Sequence, residues 1–333
     1  MIGSVILPGT RVEDWPAVRR EIHDRISATM GTAPPGAGQA PVEYKEIERY
    51  RRFDLTHVKV RYHVVDDEWH EAIIVLPEGD EKALPAPAVI CMHGTFGRVE
   101  GKYAVLDPAI SATRAYGIEL PKRGYVTIAT DVYAFGETLH GRTNPEAADD
   151  FYKKYPEWSL DGRRILDHAR ALDVLEKLGW VKEGMFGAIG DSLGGRGVMF
   201  LTAFDERVKA AVSSTGISPN CSNVYRDCTG RETSASPKLR QAILTNGKMP
   251  WDYHEMVALC APRAYLALEP FNDKYNTDVW PTFQSVYWAT EVYKLLGHAE
   301  RLAILVHGDG HDTPPDMRRF AYDWFDRFLK KAW

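Results

Sequence analysis

The sequence predicts an α/β fold, a mostly parallel sheet with helices on both faces. Three observations carry this. The chain has 333 residues, enough for one α/β domain with a substantial core. From residue 86 onward, short apolar runs alternate with segments of helical period. The run PAVICMH (87–93) is apolar throughout, as expected of a strand covered on both faces.

A first helix is expected from about Glu13, with Trp15, Val18, Ile22 and Ile26 at helical spacing. The stretch GTAPPGAGQAP (31–41) should separate it from the main body, making residues 1–40 a helical extension of one domain spanning 1–333. VKVRYHVV and WHEAIIVL read as neighbouring strands, the second closed by Pro77 and Gly79. Further strands follow at PAVICMH and YVTIATD (125–131), then a helix from Asp161 to Leu178. GMFGAIG, LGGRGVMFLTAF and RVKAAVSS read as strand, helix and strand. After them come the strand RAYLALE (263–269), a helix from about Pro281 to Leu296, the strand RLAILVH (301–307) and a closing helix. Met317, Phe320, Trp324 and Phe328 form the apolar stripe expected on that last helix. The interval from Ser214 to about Cys260 is too long for an ordinary connection and is expected to form a cap or lid.

Composition excludes several classes. Hydrophobic residues make up 44% and charged residues 26%, ordinary for a globular protein. The net charge of −5, with no basic block, argues against nucleic acid. No run is long enough to span a bilayer, and the N-terminus lacks the basic start and cleavage site of a signal peptide, so a cytoplasmic location is expected. Four cysteines are no disulfide framework; Cys91 and Cys260 fit buried positions, and Cys221 and Cys228 read as ordinary thiols rather than a pair.

In a parallel sheet, sites form beyond the carboxyl ends of the strands. After one such strand the chain reads FGAIGDSLGGRG (186–197), and Gly190-Asp191-Ser192-Leu193-Gly194 fits G-x-S-x-G. A serine held in a tight strand-to-helix turn brings its neighbours two residues away into near contact, which only small residues tolerate. Gly195 would let the helix approach the sheet, and the Leu193 N–H would stabilise an oxyanion. The phosphate-loop pattern GxxxxGK(S/T) is absent, and a carboxylate at Asp191 would repel a phosphate.

A serine nucleophile needs a base, and the base an orienting acid. Of the histidines after Ser192, His298 ends a helix, His254 approaches one, and His307 directly ends the last strand. His311 lies in the loop beyond, free to turn back, and is the expected base, with His307 as the alternative. Among the acids in RAYLALEPFNDKYNTD, Glu269 is still at the strand end and Asp278 far along the loop, so Asp273 is expected. HGTFG supplies the second oxyanion donor, the Thr95 N–H, with Gly94 next in line and His93 as scaffold. Tyr133, Tyr225, Trp251 and His254 are candidates to line the substrate pocket. A metal site at His307, Asp309 and His311 is the competing use of that loop; no metal or cofactor is otherwise called for.

The chain resembles serine hydrolases of the α/β-hydrolase superfamily, nearest the dienelactone-hydrolase and prolyl-oligopeptidase-like esterases. The resemblance runs from about residue 70 and rests on CMHGTFG, YGIELPKRGYVTIATDVYAFGE, IGDSLGGRGVMFLTAFDERVKAAVSS, APRAYLALEPFND and HGDGHDTPPDMRRFAYDWFDRFL. It implies an eight-stranded sheet with the second strand antiparallel, and Ser192, Asp273 and His311 as the triad. Two positions depart from the look-alikes: Asp191 stands where a histidine is usual, and Ser192 stands where dienelactone hydrolases use cysteine. Glucuronoyl esterases are related, but carry arginine directly after the serine, where this chain has Leu193, with Arg196 further along.

The expected activity is hydrolysis of a carboxylic ester, small or on an acylated carbohydrate, through an acyl-serine. A peptidase, an acyltransferase and a lactone hydrolase are alternatives on the same triad; no β-propeller is present to gate peptides. A non-catalytic binding module would have no need of all three residues. Expected partners are a small-molecule ester and, beyond it, a second copy in a homodimer. The sequence assigns no role to Asp191.

Overall fold

The computed structural model describes residues 2–95, 99–221, 236–247 and 249–330. Its strands are β1 (Tyr44–Arg52), β2 (Leu55–Val65), β3 (Glu68–Val75), β4 (Ala86–Met92), β5 (Val126–Thr130), β6 (Val181–Asp191), β7 (Val208–Ser214), β8 (Ala264–Pro270) and β9 (Leu302–His307). They form one nine-stranded sheet in the order β1-β2-β3-β5-β4-β6-β7-β8-β9. The body from β5 to β9 is parallel, while β1, β2 and β3 pair antiparallel and β3 runs antiparallel to β5.

From β2 onward this is the expected eight-stranded arrangement, with its second strand, β3, antiparallel. The ninth strand, β1, was not expected. Its sequence YKEIERYRR carries no apolar period and is exposed or half-exposed throughout, so hairpin pairing with β2 makes it a strand.

The period of two along the central strands divides the core. Ala88, Ile90 and Met92 of β4 face one side, with Val58, Ile74, Ile128 and Ala188. Val89 and Cys91 face the other, with Ile73, Val75, Ile189 and Val212. Helices Leu160–Leu178, Leu193–Phe204, Tyr253–Leu259 and Trp280–Leu295 cover the first face. The second is covered by residues around 105–120 and by helix Pro315–Phe325.

Two parts are more integral than the sequence suggests. Helix Trp15–Met30 buries Trp15, Ile22, Ile26 and Met30 in the main core, so the extension is packed against the domain. In the 214–260 interval, helix Tyr253–Leu259 is buried at every residue but Glu255, and the Trp251 indole N–H donates to Thr29 Oγ1 at 2.9 Å. The last part of the expected cap, residues 251–260, is therefore core. Cys91, Cys221 and Cys260 are free thiols; Cys228 and Tyr225 lie outside the described residues. Among the described residues no helix is long and apolar enough to cross a membrane.

The stripe on the closing helix is corrected by about one residue. Ala321, Tyr322, Phe325 and Leu329 are the buried apolar side chains, whereas Phe320 is 52% exposed. Met317, Trp324 and Phe328 only flank the core. The helix widens into a π-turn over Asp326–Lys330, and Phe325 and Leu329 both press on Gly187 of β6, where an added Cβ would come within 2.9 Å of either ring or methyl. Phe325→Ala should therefore cost about 3–5 kcal/mol in denaturant unfolding. Phe320→Ala should stay within about 0.5 kcal/mol. Equal losses would contradict this assignment of faces.

Candidate active site

The parallel register sets the carboxyl ends of the central strands level: Met92 pairs with Gly190, Asp191 with Ser214, and Pro270 with His307. Gly94, Ser192, Thr215, Asp273 and His311 all follow from that one edge.

Ser192 occupies a strained turn between β6 and helix Leu193–Phe204, with φ 58° and ψ −116°. Such a conformation costs on the order of 1–3 kcal/mol and persists only where neighbours enforce it. Here the enforcement is close backbone packing. A Cβ on Gly190 would lie 2.5 Å from the Gly194 carbonyl, and one on Gly194 would lie 2.3 Å from the Met92 oxygen. One on Gly195 would lie 2.4 Å from the Ser214 oxygen. The Ser192 N–H donates to Ser214 O at 2.8 Å and to Thr215 Oγ1 at 2.9 Å, so β7 also holds the turn.

His311 Nδ1 lies 2.7 Å from Asp273 Oδ2. An ionised carboxylate only accepts, so Nδ1 carries the proton and Nε2 presents its lone pair. Burial works to raise the Asp273 carboxyl, but the His311 bond and the Tyr275 N–H, 2.7 Å from Oδ1, outweigh it and hold the carboxyl below its ordinary range. The Tyr275 ring stands edge-on to the imidazole at 4.7 Å. The other acids do not meet a histidine in this way. Asp278 is exposed. Glu269 is fully buried beneath the site and accepts from the Ile217 N–H at 3.2 Å; burial pushes its carboxyl well above the usual range. His307 stays at the strand end, its Nδ1 accepting from the Asp309 N–H at 3.3 Å. Among the described residues no three potential ligands gather in a metal-binding group.

On the oxyanion side, the Leu193 N–H opens the helix after Ser192. The loop after β4 reaches this point, since a Cβ on Gly94 would lie 3.3 Å from Ser192 Cβ. Thr95 follows on that loop, exposed. His93 is buried; burial lowers its pKa, and its Nδ1–H donates to Gly94 O at 3.0 Å, as a scaffold residue would.

Of the expected pocket residues, Tyr133 packs into an aromatic cluster with Phe151, Tyr155 and Trp158, under the Arg163 guanidinium. Trp251 is 2% exposed and hydrogen-bonded within the core, so packing accounts for both without a ligand. His254 is buried, which pushes its imidazole down to about 4.

Several groups at the site carry no signal in the sequence. Asp191 is buried, with Oδ2 2.6 Å from Arg114 Nε and Oδ1 3.2 Å from the hydroxyls of both Thr215 and Thr313. A recess of about 20 Å³ beside Leu193 and Gly194 is lined by His93, Arg164, His168 and Arg196. Arg196 is held from behind by Asp161, 2.8 Å from Nη2, and by the Tyr253 hydroxyl, 2.9 Å from Nε. These partners are 24 to 122 residues apart in sequence, beyond the reach of local spacing.

A strained serine turn and a histidine–aspartate pair stand at one edge of a sheet with the architecture of the α/β-hydrolase fold. The model for fungal glucuronyl esterase matches residues 66–297, and the chain belongs to that family, which makes it a serine-type hydrolase of carbohydrate esters. The Bacillus subtilis (strain 168) protein YtaP, named as a hydrolase, is 26% identical over 278 residues, 80% of this chain and 86% of its own. Two solved structures share the fold. A promiscuous CE15 esterase from a marine bacterial metagenome superposes with TM-score 0.78 at 16% identity, over 99% of this chain and 97% of its own. A glucuronoyl esterase from Solibacter usitatus superposes with TM-score 0.75 at 17% identity, over 98% and 97%.

The buried Glu269 makes a thermodynamic prediction. Its folded-state pKa is raised, so its contribution to stability is full below the unfolded value, about 4.3, and declines as pH rises toward the folded one. Glu269→Gln keeps an acceptor for Ile217 and removes the titration. Its melting temperature relative to wild type should climb as pH rises above about 4. A difference independent of pH would show that the carboxyl is not held neutral.

Proposed function

We propose that the chain hydrolyses a carbohydrate carboxylic ester by two-step acyl transfer, with Ser192 as nucleophile, His311 as base and Asp273 as its orienting acid. The observation that supports this best is the 2.7 Å bond between His311 and Asp273 at the edge where Ser192 sits in its strained turn. His311 Nε2 takes the Ser192 proton as Oγ attacks the carbonyl, and the N–H groups of Leu193 and Thr95 hold the oxyanion. The tetrahedral intermediate collapses, the alcohol leaves with the proton from His311, and an acyl-serine remains. His311 then deprotonates water, which attacks the acyl group; collapse releases the acid and returns the proton to Ser192.

The acyl part is the open choice. Leu193 places an apolar side chain directly after the proposed nucleophile, where glucuronoyl esterases carry arginine, and this favours a small acyl group such as acetyl over a glucuronoyl group. The finer resemblance to dienelactone-hydrolase-like esterases, also read from the serine turn, agrees with a small ester. Hydrolysis rates for acetyl, longer acyl, feruloyl, glucuronoyl and lactone esters test it; a preference for the glucuronoyl ester would overturn the acyl assignment while leaving the mechanism. Peptide cleavage or transfer to an added alcohol would redirect the class.

Ser192→Ala should lose turnover and fluorophosphonate labelling with an unchanged circular dichroism spectrum. Full activity in that variant would end the proposal, and a wild type that neither labels nor turns over would favour a binding module. Asp273→Asn should lower kcat by about 10⁴, by inverting the hydrogen bond that fixes the imidazole.

A further inference from the structure

We infer that Arg114 and Asp191 are positioning residues for ester hydrolysis, a buried ion pair that fixes the loop of His311 against the turn of Ser192. The inference rests on the roles proposed for those two residues. Asp191 immediately precedes Ser192 and is 1% exposed. A buried carboxylate beside a nucleophile is unfavourable unless it is fully paired. Its pairing is extensive. Arg114 Nε lies 2.6 Å from Oδ2. Thr215 Oγ1 lies 3.2 Å from Oδ1 and also accepts the Ser192 N–H. Thr313 Oγ1 lies 3.2 Å from Oδ1 and 2.8 Å from Ser214 Oγ.

The second arm of the guanidinium gives the pair its reach. Arg114 Nη2 donates to the His311 carbonyl at 3.0 Å and lies 3.1 Å from Asp312 Oδ1. One rigid planar fork therefore spans from the residue before the proposed nucleophile to the backbone of the proposed base, across sequence separations of 77 and 197 residues. The Asp312 carboxylate also accepts from the Thr113 hydroxyl at 2.6 Å, so the segment carrying Arg114 is clamped to the same loop. Asp273 sets the orientation of the His311 ring, and nothing in that contact fixes the loop's distance from β6. The fork and Thr313 do so. Their bonds run to Asp191 and to the loop of His311, so their effect on chemistry passes through placement.

Displacing a catalytic group by about 1 Å costs on the order of 10² in rate. Arg114→Met and Asp191→Asn should each lower kcat about 10²-fold with KM changed less than about threefold, because the acyl and alcohol contacts are untouched. The double variant should be no slower than the worse single one, since both remove the same link. Arg114→Lys should recover part of the loss, as an ammonium can reach Asp191 or the carbonyl but cannot fork to both. Assays run well below each variant's melting temperature, with the rate of fluorophosphonate labelling of Ser192 measured alongside; labelling should slow in parallel with kcat. Thr313→Val, which loses one bond to Asp191 and keeps the ion pair, supplies a milder variant should Asp191→Asn fail to fold. Unchanged kcat and labelling in folded Arg114→Met, with Ser192→Ala inactive, would overturn the positioning role alone. An active Ser192→Ala would overturn the reading on which it rests. Multiplicative losses in the double variant would also count against a shared link.

Discussion

The contact on which the site depends is the approach of one helix to three strand ends. Helix Leu193–Phe204 enters so close that the backbone at Gly194 touches the Met92 carbonyl and that at Gly195 touches the Ser214 carbonyl. Nothing larger than hydrogen fits at either contact. That closeness forces Ser192 into its positive-φ conformation and lifts it out of the line of β6. It also brings the helix's first N–H groups beside the hydroxyl. The glycines are thus a steric requirement, and the strain at Ser192 follows from them.

Much of this was legible because it is local. The strands from β2 to β9 announce themselves by apolar runs, and G-x-S-x-G lies on the turn whose sterics demand it. Asp273 and His311 were reached from their distance beyond a strand, and they meet at hydrogen-bond distance. What escaped is non-local. β1 is charged along most of its length and becomes a strand through pairing alone. The buried face of the closing helix runs through Ala321, Tyr322 and Phe325, and the apolar residues on either side of it blurred that choice in the sequence. Arg114 looks like any loop arginine, because its partners lie far along the chain. Tyr133, expected at the site because it follows a strand end, and Trp251, expected there because it lies in the long interval, both pack into the interior through partners far along the chain.

Asp191 illustrates how charge is tolerated in such a place. Desolvation opposes the Arg114 guanidinium, yet its carboxylate partners win and its pKa is raised. Two cations near Ser192, Arg114 and Arg196, each have a carboxylate committed to them, Asp191 and Asp161. The carboxylate of Asp191 is thereby turned toward Arg114 and the threonines. Buried polar networks of this kind specify geometry more than they add net stability.

The edge strand β1 has a consequence for the molecule as a whole. A sheet ends in a row of unpaired amides and carbonyls, which invites another chain to add a strand. Here the outermost strand carries Lys45, Glu46, Glu48, Arg49, Arg51 and Arg52. Arg49 is bound to Glu46 and Glu81, and Arg51 to Asp80. A foreign strand docking there would have to displace those ion pairs and align its own charges with both signs. The residues that sequence periodicity could not recognise as a strand are, for the same reason, the ones that end the growth of the sheet and guard the folded chain against edge-to-edge aggregation.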